Sequence, residues 1–124
     1  MEDVAPRNAR IAWLLAIAYA GLIFLLSSIP GRSLPAPPMF GADKIVHAVE
    51  FAVLAILIWH VARRCGFGLR AALIIAVVVA IGYGVLDELH QGFTPGRFPS
   101  IFDVVADAVG ALLGVALVYW RSRR

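Results

Sequence analysis

An all-α polytopic membrane protein, a four-helix transmembrane bundle with both termini cytoplasmic, is the fold class the sequence predicts. Three observations predict it. First, 61% of the 124 residues are apolar and the mean hydropathy is +0.86, too greasy for an ordinary soluble core. The apolar residues fall into four stretches at about 11–29, 45–62, 69–90 and 101–120. A helix of roughly 20 residues crosses the ~30 Å hydrocarbon layer, so each stretch is long enough to span. Second, the basic residues are asymmetric. Arg7, Arg10, Arg63, Arg64, Arg70, Arg121, Arg123 and Arg124 share one side of a four-span chain, whereas Arg32, Lys44 and Arg97 share the other. Positive charge marks the cytoplasmic face. Third, Trp13, Trp59 and Trp120 all fall at that same end of their helices, where indole rings favour the interface. This distribution accounts for the net charge of +3 without nucleic acid, and no nucleic-acid partner is predicted.

Residues 1–10 read as a polar leader without periodicity, 11–120 as one membrane domain, and 121–124 as a basic tail. The first stretch has too long an apolar core for a secretory signal and no A-x-A site, so it reads as a retained span, packing or lipid-facing. Pro30 and Gly31 stop it, and the proline-rich SLPAPP loop (33–38) excludes helix. Span two is predicted to open on Asp43 as N-cap; Asp43, His47, Glu50 and Leu54 then follow at helical spacing and share one face. The single cysteine, Cys65, reads as a loop residue and excludes an internal disulfide.

In span three, Gly82 and Gly84 are expected to admit a close neighbour, and Tyr83, Asp87 and Gln91 share a face. Gly92 ends the helix, and Thr94, Pro95 and Gly96 turn the chain to present Arg97. Ser100 and Asp103 resemble a capping box opening span four. Asp103, Asp107, Gly110 and Gly114 follow at spacings that put the acids on the G-x-x-x-G face, the kind of face that packs against a neighbouring membrane helix.

Six acids, Asp43, Glu50, Asp87, Glu88, Asp103 and Asp107, thus gather with His47, His90, Lys44 and Arg97 at one end of spans two to four. Asp43 and Asp103 are explained equally well as caps, and His90 as a solvent-facing residue. Glu50, Asp87 and Asp107 lie within apolar stretches, where ionisable groups pair together or line a cavity. Arg97 is the expected counter-ion, folding back in a bidentate contact with a carboxylate. One reading is a closed ionic network that locks the bundle; another is a functional pocket. A metal centre is a third: His47 and Glu50 stand in H-x-x-E order, the reverse of the di-metal bundle motif, and oxygen-rich ligands favour Mn, Mg or Zn.

The segments DKIVHAVEF (43–51), YGVLDELHQGFTPGR (83–97) and SIFDVVADAVGALLG (100–114) resemble the signatures of the VanZ-like family of bacterial membrane proteins, related to a teicoplanin-resistance protein. The resemblance covers about residues 11–118 and implies a small multi-pass protein of the cytoplasmic (inner) membrane and cell envelope, with no settled activity and no defined cofactor. It carries over recurrent polar positions at Asp43, Lys44, His47, Asp87, Glu88, Gln91, Arg97 and Asp103. Where the family commonly has Asn, this chain has Asp107, so that carboxyl is either protonated or compensated by Arg97, Lys44 or a bound cation.

The leading expectation is a pocket, formed by these residues with Asp107, that binds a polar head group of a lipid or a lipid-linked wall precursor. Lys44 and Arg97 would hold phosphate or carboxylate; Asp87, Glu88 and Gln91 would meet hydroxyl or ammonium groups. The rival is an acid–base or metal-dependent enzyme acting on a lipid-linked ester or phosphate, with His47, Glu50, Asp87 or Glu88 as candidate catalytic groups. No G-x-S-x-G nucleophile signature accompanies them. An ion carrier built from four short spans without an internal repeat would require a homo-oligomer.

Overall fold

A computed structural model describes residues 4–35 and 41–124, with side chains described from Asn8 onward in the first helix. The order is α1 (Val4–Ser27), a 3₁₀ turn (Gly31–Ser33), α2 (Ala42–Arg64), α3 (Leu69–Gln91) and α4 (Ile101–Ser122). All four helices are long and apolar enough to cross a membrane. The start of α1 differs from expectation: it begins at Val4, inside the polar leader. Pro6 falls in its first turn, where a missing N–H removes no helical hydrogen bond. Residues 1–3 and 36–40, the latter containing much of the proline-rich loop, lie outside the described residues.

The usual distribution of side-chain size is inverted. Leu14, Leu25, Ile45, Ile74, Leu89 and Leu113 are exposed, whereas the interior is built largely from small residues. In lipid this costs nothing, since acyl chains solvate leucine, and small residues let backbones approach. Ala72, Ala76, Ala80, Gly84 and Glu88 form one buried stripe along α3 at i,i+4 spacing. On α4 the facing stripe is Asp103, Asp107, Gly110, Ala111 and Gly114. A Cβ at Gly110 would overlap the Ala48 backbone, and one at Gly114 the Ala52 backbone, so the G-x-x-x-G face makes the helix contact the sequence predicts, and the partner is α2. Gly84 likewise lies against Phe51 and Asp107, but Gly82 has open space around it and is not a contact.

The bundle is not a symmetric ring. α2 is central, packed against α4, α3 and α1, whereas α1 touches α2 and α3 and makes no contact with α4 among the described residues. The α2–α3 turn closes with Gly66 at φ 91°, the Gly66 amide donating to the Arg63 carbonyl and the Phe67 amide to that of Ala62. This left-handed cap satisfies the last carbonyls of α2. His60 lines one groove with Asn8 and Ile11 of α1 and another with Leu117 and Arg121 of α4. Both chain ends therefore lie at the same end of the bundle. The α1–α2 and α3–α4 connections lie at the other, with the acids.

Candidate functional site

Close packing of α2 on α4 brings His47 against two aspartates. His47 Nδ1 lies 2.9 Å from Asp107 Oδ1, and Nε2 lies 3.9 Å from Asp103 Oδ2. Asp107 is only 1% exposed; it reaches His47 because glycine at 84 and 110 removes the side chains that would hold the helices apart. Lys44 bonds Asp43 at 2.6 Å and also contacts Asp103 Oδ1. Glu88, the last member of the α3 stripe, accepts the Ser100 backbone amide on Oε2 at 2.8 Å. Candidate ligand atoms of His47, Glu88 and Asp103 lie within 4.8 Å of one another.

A second group forms between α3 and α1. Asp87 accepts from Ser27 Oγ at 2.7 Å and from Gln91 Nε2 at 3.1 Å, both on Oδ2. His90 does not face solvent: its ring stacks on Phe24 with centroids 4.4 Å apart, and Nε2 sits 2.9 Å from Ser28 Oγ. Since Ser28 Oγ donates to the Phe24 carbonyl at 2.7 Å, the imidazole is the donor in that pair. Tyr83 Oη donates to the Ala20 carbonyl at 2.6 Å and pins α3 to α1 one turn further in. Ser27 and Ser28 were missed as site residues in the sequence. A pair of serines two residues before the helix-ending Pro30, at the end of an apolar run, is the one signal that could have marked them.

Several expectations are corrected. Arg97 does not bind a carboxylate: its Nε donates to the Ile29 carbonyl at 3.2 Å and an Nη to that of Leu26 at 3.0 Å. It neutralises the negative end of the α1 dipole, and it adds to the Ile29 amide, which already donates to the Leu26 carbonyl at 3.3 Å. Thr94 Oγ1 reaches the Ser27 carbonyl at 3.4 Å, and the Gly31 amide donates to the Pro95 carbonyl at 2.9 Å, so the two connections are stitched together. Gly96, at φ 74°, and Gly31 meet backbone to backbone, where a Cβ on Gly31 would collide. Asp43 is not the N-cap of α2; that place is held by Gly41 at φ 81°, and Asp43 sits in the first turn paired with Lys44. Nor do Ser100 and Asp103 form a capping box: the Ser100 side chain caps nothing, and Glu88 comes from α3 to hold the Ser100 amide. The metal-capable set takes His47 with Glu88 and Asp103, not with Glu50, which is half-buried one turn along α2.

The electrostatic consequence is an acidic site. Of its two permanent cations, Arg97 is engaged with carbonyls and Lys44 with two of the carboxylates. Asp87 Oδ1, Glu88 Oε1 and Asp107 Oδ2 are buried without a hydrogen-bond donor. Each such oxygen costs on the order of 1–3 kcal/mol, and more if charged, until a donor or a cation reaches it. The arrangement can accept a positively charged or donor-rich group, and it holds a histidine oriented by an aspartate.

No curated protein and no solved structure matches the chain significantly. A family profile does match, described as VanZ/LLP1, over residues 10–122. That span takes in all three signature segments and every residue of the site, and the chain is a membrane protein belonging to the VanZ/LLP1 family.

Proposed function

We propose that this protein binds the polar head group of a lipid or lipid-linked wall precursor at the acidic end of its bundle, and that through this it affects susceptibility to glycopeptides such as teicoplanin. The observation that carries the reading is the surplus of acceptors. Three buried carboxylate oxygens lack donors while both nearby cations are engaged. Ammonium and hydroxyl groups are the complement of such a surface, so amino-bearing head groups are favoured over simple anionic ones. Lys44, whose side chain is about one-third exposed, can swing onto a phosphate. By the charge asymmetry the protein sits in the cytoplasmic membrane with both termini inside, which turns the site outward.

Native mass spectrometry of the detergent-purified protein tests the head-group reading, with teicoplanin susceptibility measured in cells expressing the protein at matched levels. An amino-bearing lipid or precursor is expected to co-purify with the wild type and to be depleted in Asp87→Asn and Asp103→Asn, with susceptibility shifting in parallel. Equal lipid content and equal susceptibility across the three proteins would refute it.

A second reading has its own observation. The 2.9 Å contact between His47 Nδ1 and Asp107 orients the imidazole with Nε2 free, the arrangement of a general base. Ser28, the serine nearest a histidine, is not a companion nucleophile, because its proton is committed to the Phe24 carbonyl. An enzyme here would activate water or a substrate hydroxyl toward a lipid-linked ester or phosphate. Release of labelled product by purified protein, lost in His47→Ala, is the result that would establish it.

A further inference from the structure

The geometry points to a divalent metal site formed by His47 Nε2, Asp103 Oδ2 and the free oxygen of Glu88, oriented by Asp107, with Zn²⁺ or Mn²⁺ as the ion. Each of the three residues has one polar atom held by the protein and one left over. His47 Nδ1 is held by Asp107, Asp103 Oδ1 by Lys44, and Glu88 Oε2 by the Ser100 amide. The remaining atoms are His47 Nε2, Asp103 Oδ2 and Glu88 Oε1, of which Glu88 Oε1 is fully buried and has no partner. Three residues on three helices that each hold one atom fixed and turn the other loose are what an ion site requires.

The dimensions agree. One candidate ligand atom from each of the three residues falls within 4.8 Å of the other two, and His47 Nε2 to Asp103 Oδ2 is 3.9 Å. Ligands at about 2.0–2.2 Å from a shared ion stand roughly 3–4.4 Å apart, from right-angled to opposite positions, and about 3.3–3.6 Å apart at tetrahedral Zn²⁺, so closure draws the more widely spaced atoms together by up to about 1.5 Å. A separation of 3.9 Å is too long for a hydrogen bond and falls inside the range for two ligands of one ion. Asp107 supplies the outer partner found behind most metal-bound histidines: by accepting from Nδ1–H it fixes the tautomer that leaves the Nε2 lone pair free. One imidazole among two carboxylates favours Zn²⁺ or Mn²⁺ over Mg²⁺ and Ca²⁺, which prefer all-oxygen sets. The site shares Asp103 and Glu88 with the head-group reading, but the two fail separately, since a chain that ignored every lipid would still bind the ion.

The test is equilibrium dialysis of chelator-stripped, detergent-purified protein against Zn²⁺ and, separately, Mn²⁺, with the metal counted per chain. About one ion per chain is expected, retained in millimolar Mg²⁺. Glu88→Gln still offers a carbonyl oxygen to the Ser100 amide, so α4 keeps its start while the ion loses a charged ligand; it and Asp103→Asn are expected to weaken binding at least tenfold. Asp107→Ala, which acts only through His47, should weaken it by about 10- to 100-fold, and Asp107→Asn, still an acceptor for Nδ1–H, should recover most of that loss. His60→Ala, which removes a histidine at the opposite end of the bundle, should bind as the wild type does. Wild-type protein holding less than a tenth of an ion per chain, an ion displaced by millimolar Mg²⁺, or stoichiometric binding unchanged in both Glu88→Gln and Asp103→Asn would each overturn the assignment.

Discussion

Replacing Gly110 by alanine asks the smallest possible question of the contact on which the site depends. The added methyl would fall on the Ala48 carbonyl, and the obstacle is backbone, so no rotamer relieves it. α2 and α4 must separate, at an overpacking cost near the upper end of the usual range, about 3 kcal/mol. Alanine returns about 1 kcal/mol as the better helix former, leaving a net loss of about 2 kcal/mol. Gly82→Ala adds the same methyl into open space and should gain up to about 1 kcal/mol. The two variants should therefore differ by about 3 kcal/mol for the same chemical change. Unfolding in mixed micelles by titration with a denaturing detergent, followed by helicity, measures the difference. Because Asp107 lies one turn from Gly110 and meets His47 at 2.9 Å, the separated helices should also lose that contact, visible as a shift of the His47 imidazole resonances. Equal stability of Gly110→Ala and Gly82→Ala would refute the close α2–α4 packing and the site built on it.

Glu88→Ala should destabilise the chain by about 1.5–3 kcal/mol, because the Ser100 amide loses a charged acceptor, whereas Glu88→Gln should recover much of the loss in the same unfolding assay. Ser27→Ala leaves the buried Asp87 carboxylate with only Gln91 as donor and should cost about 1–3 kcal/mol, with Asp87→Asn in the Ser27→Ala background relieving part of it. Arg97→Ala frees the last carbonyls of α1 and should speed amide exchange around Leu26–Ile29 while leaving α4 unchanged; faster exchange confined to α3 and α4 would contradict the assigned contact. The lone cysteine reports orientation: Cys65 is exposed in the α2–α3 turn, at the end that carries the termini, so a membrane-impermeant maleimide should label it in inverted vesicles and not in intact cells.

The helices and the inward face of α4 were legible because they depend on local periodicity. Apolar runs long enough to span set the four elements, and Asp103, Asp107, Gly110 and Gly114 declared one face by spacing alone. Helix ends were read less well. Asp43 looked like a cap because it precedes an apolar run, yet Gly41 takes the left-handed turn that a side chain resists. Ser100 looked like the start of a capping box, yet its amide is met by a glutamate twelve residues earlier. Arg97 was paired by charge with the acids, and the structure gives it to carbonyls at the end of α1, which carry no formal charge and leave no trace in composition.

The sequence by itself determined that the chain has four helices long and apolar enough to cross a membrane, that its acids collect at one end, and to which family it belongs. Hydropathy and residue spacing run along the chain, and one strand of letters suffices to read them. Only the tertiary structure decided which partner each polar group takes: Asp107 with His47, Asp87 with Ser27, Glu88 with the Ser100 amide, Arg97 with α1. Those pairings join residues 12 to 71 positions apart. They depend on how closely the helices approach and how far each is rotated about its axis, and both are settled by the small residues at the contacts acting together.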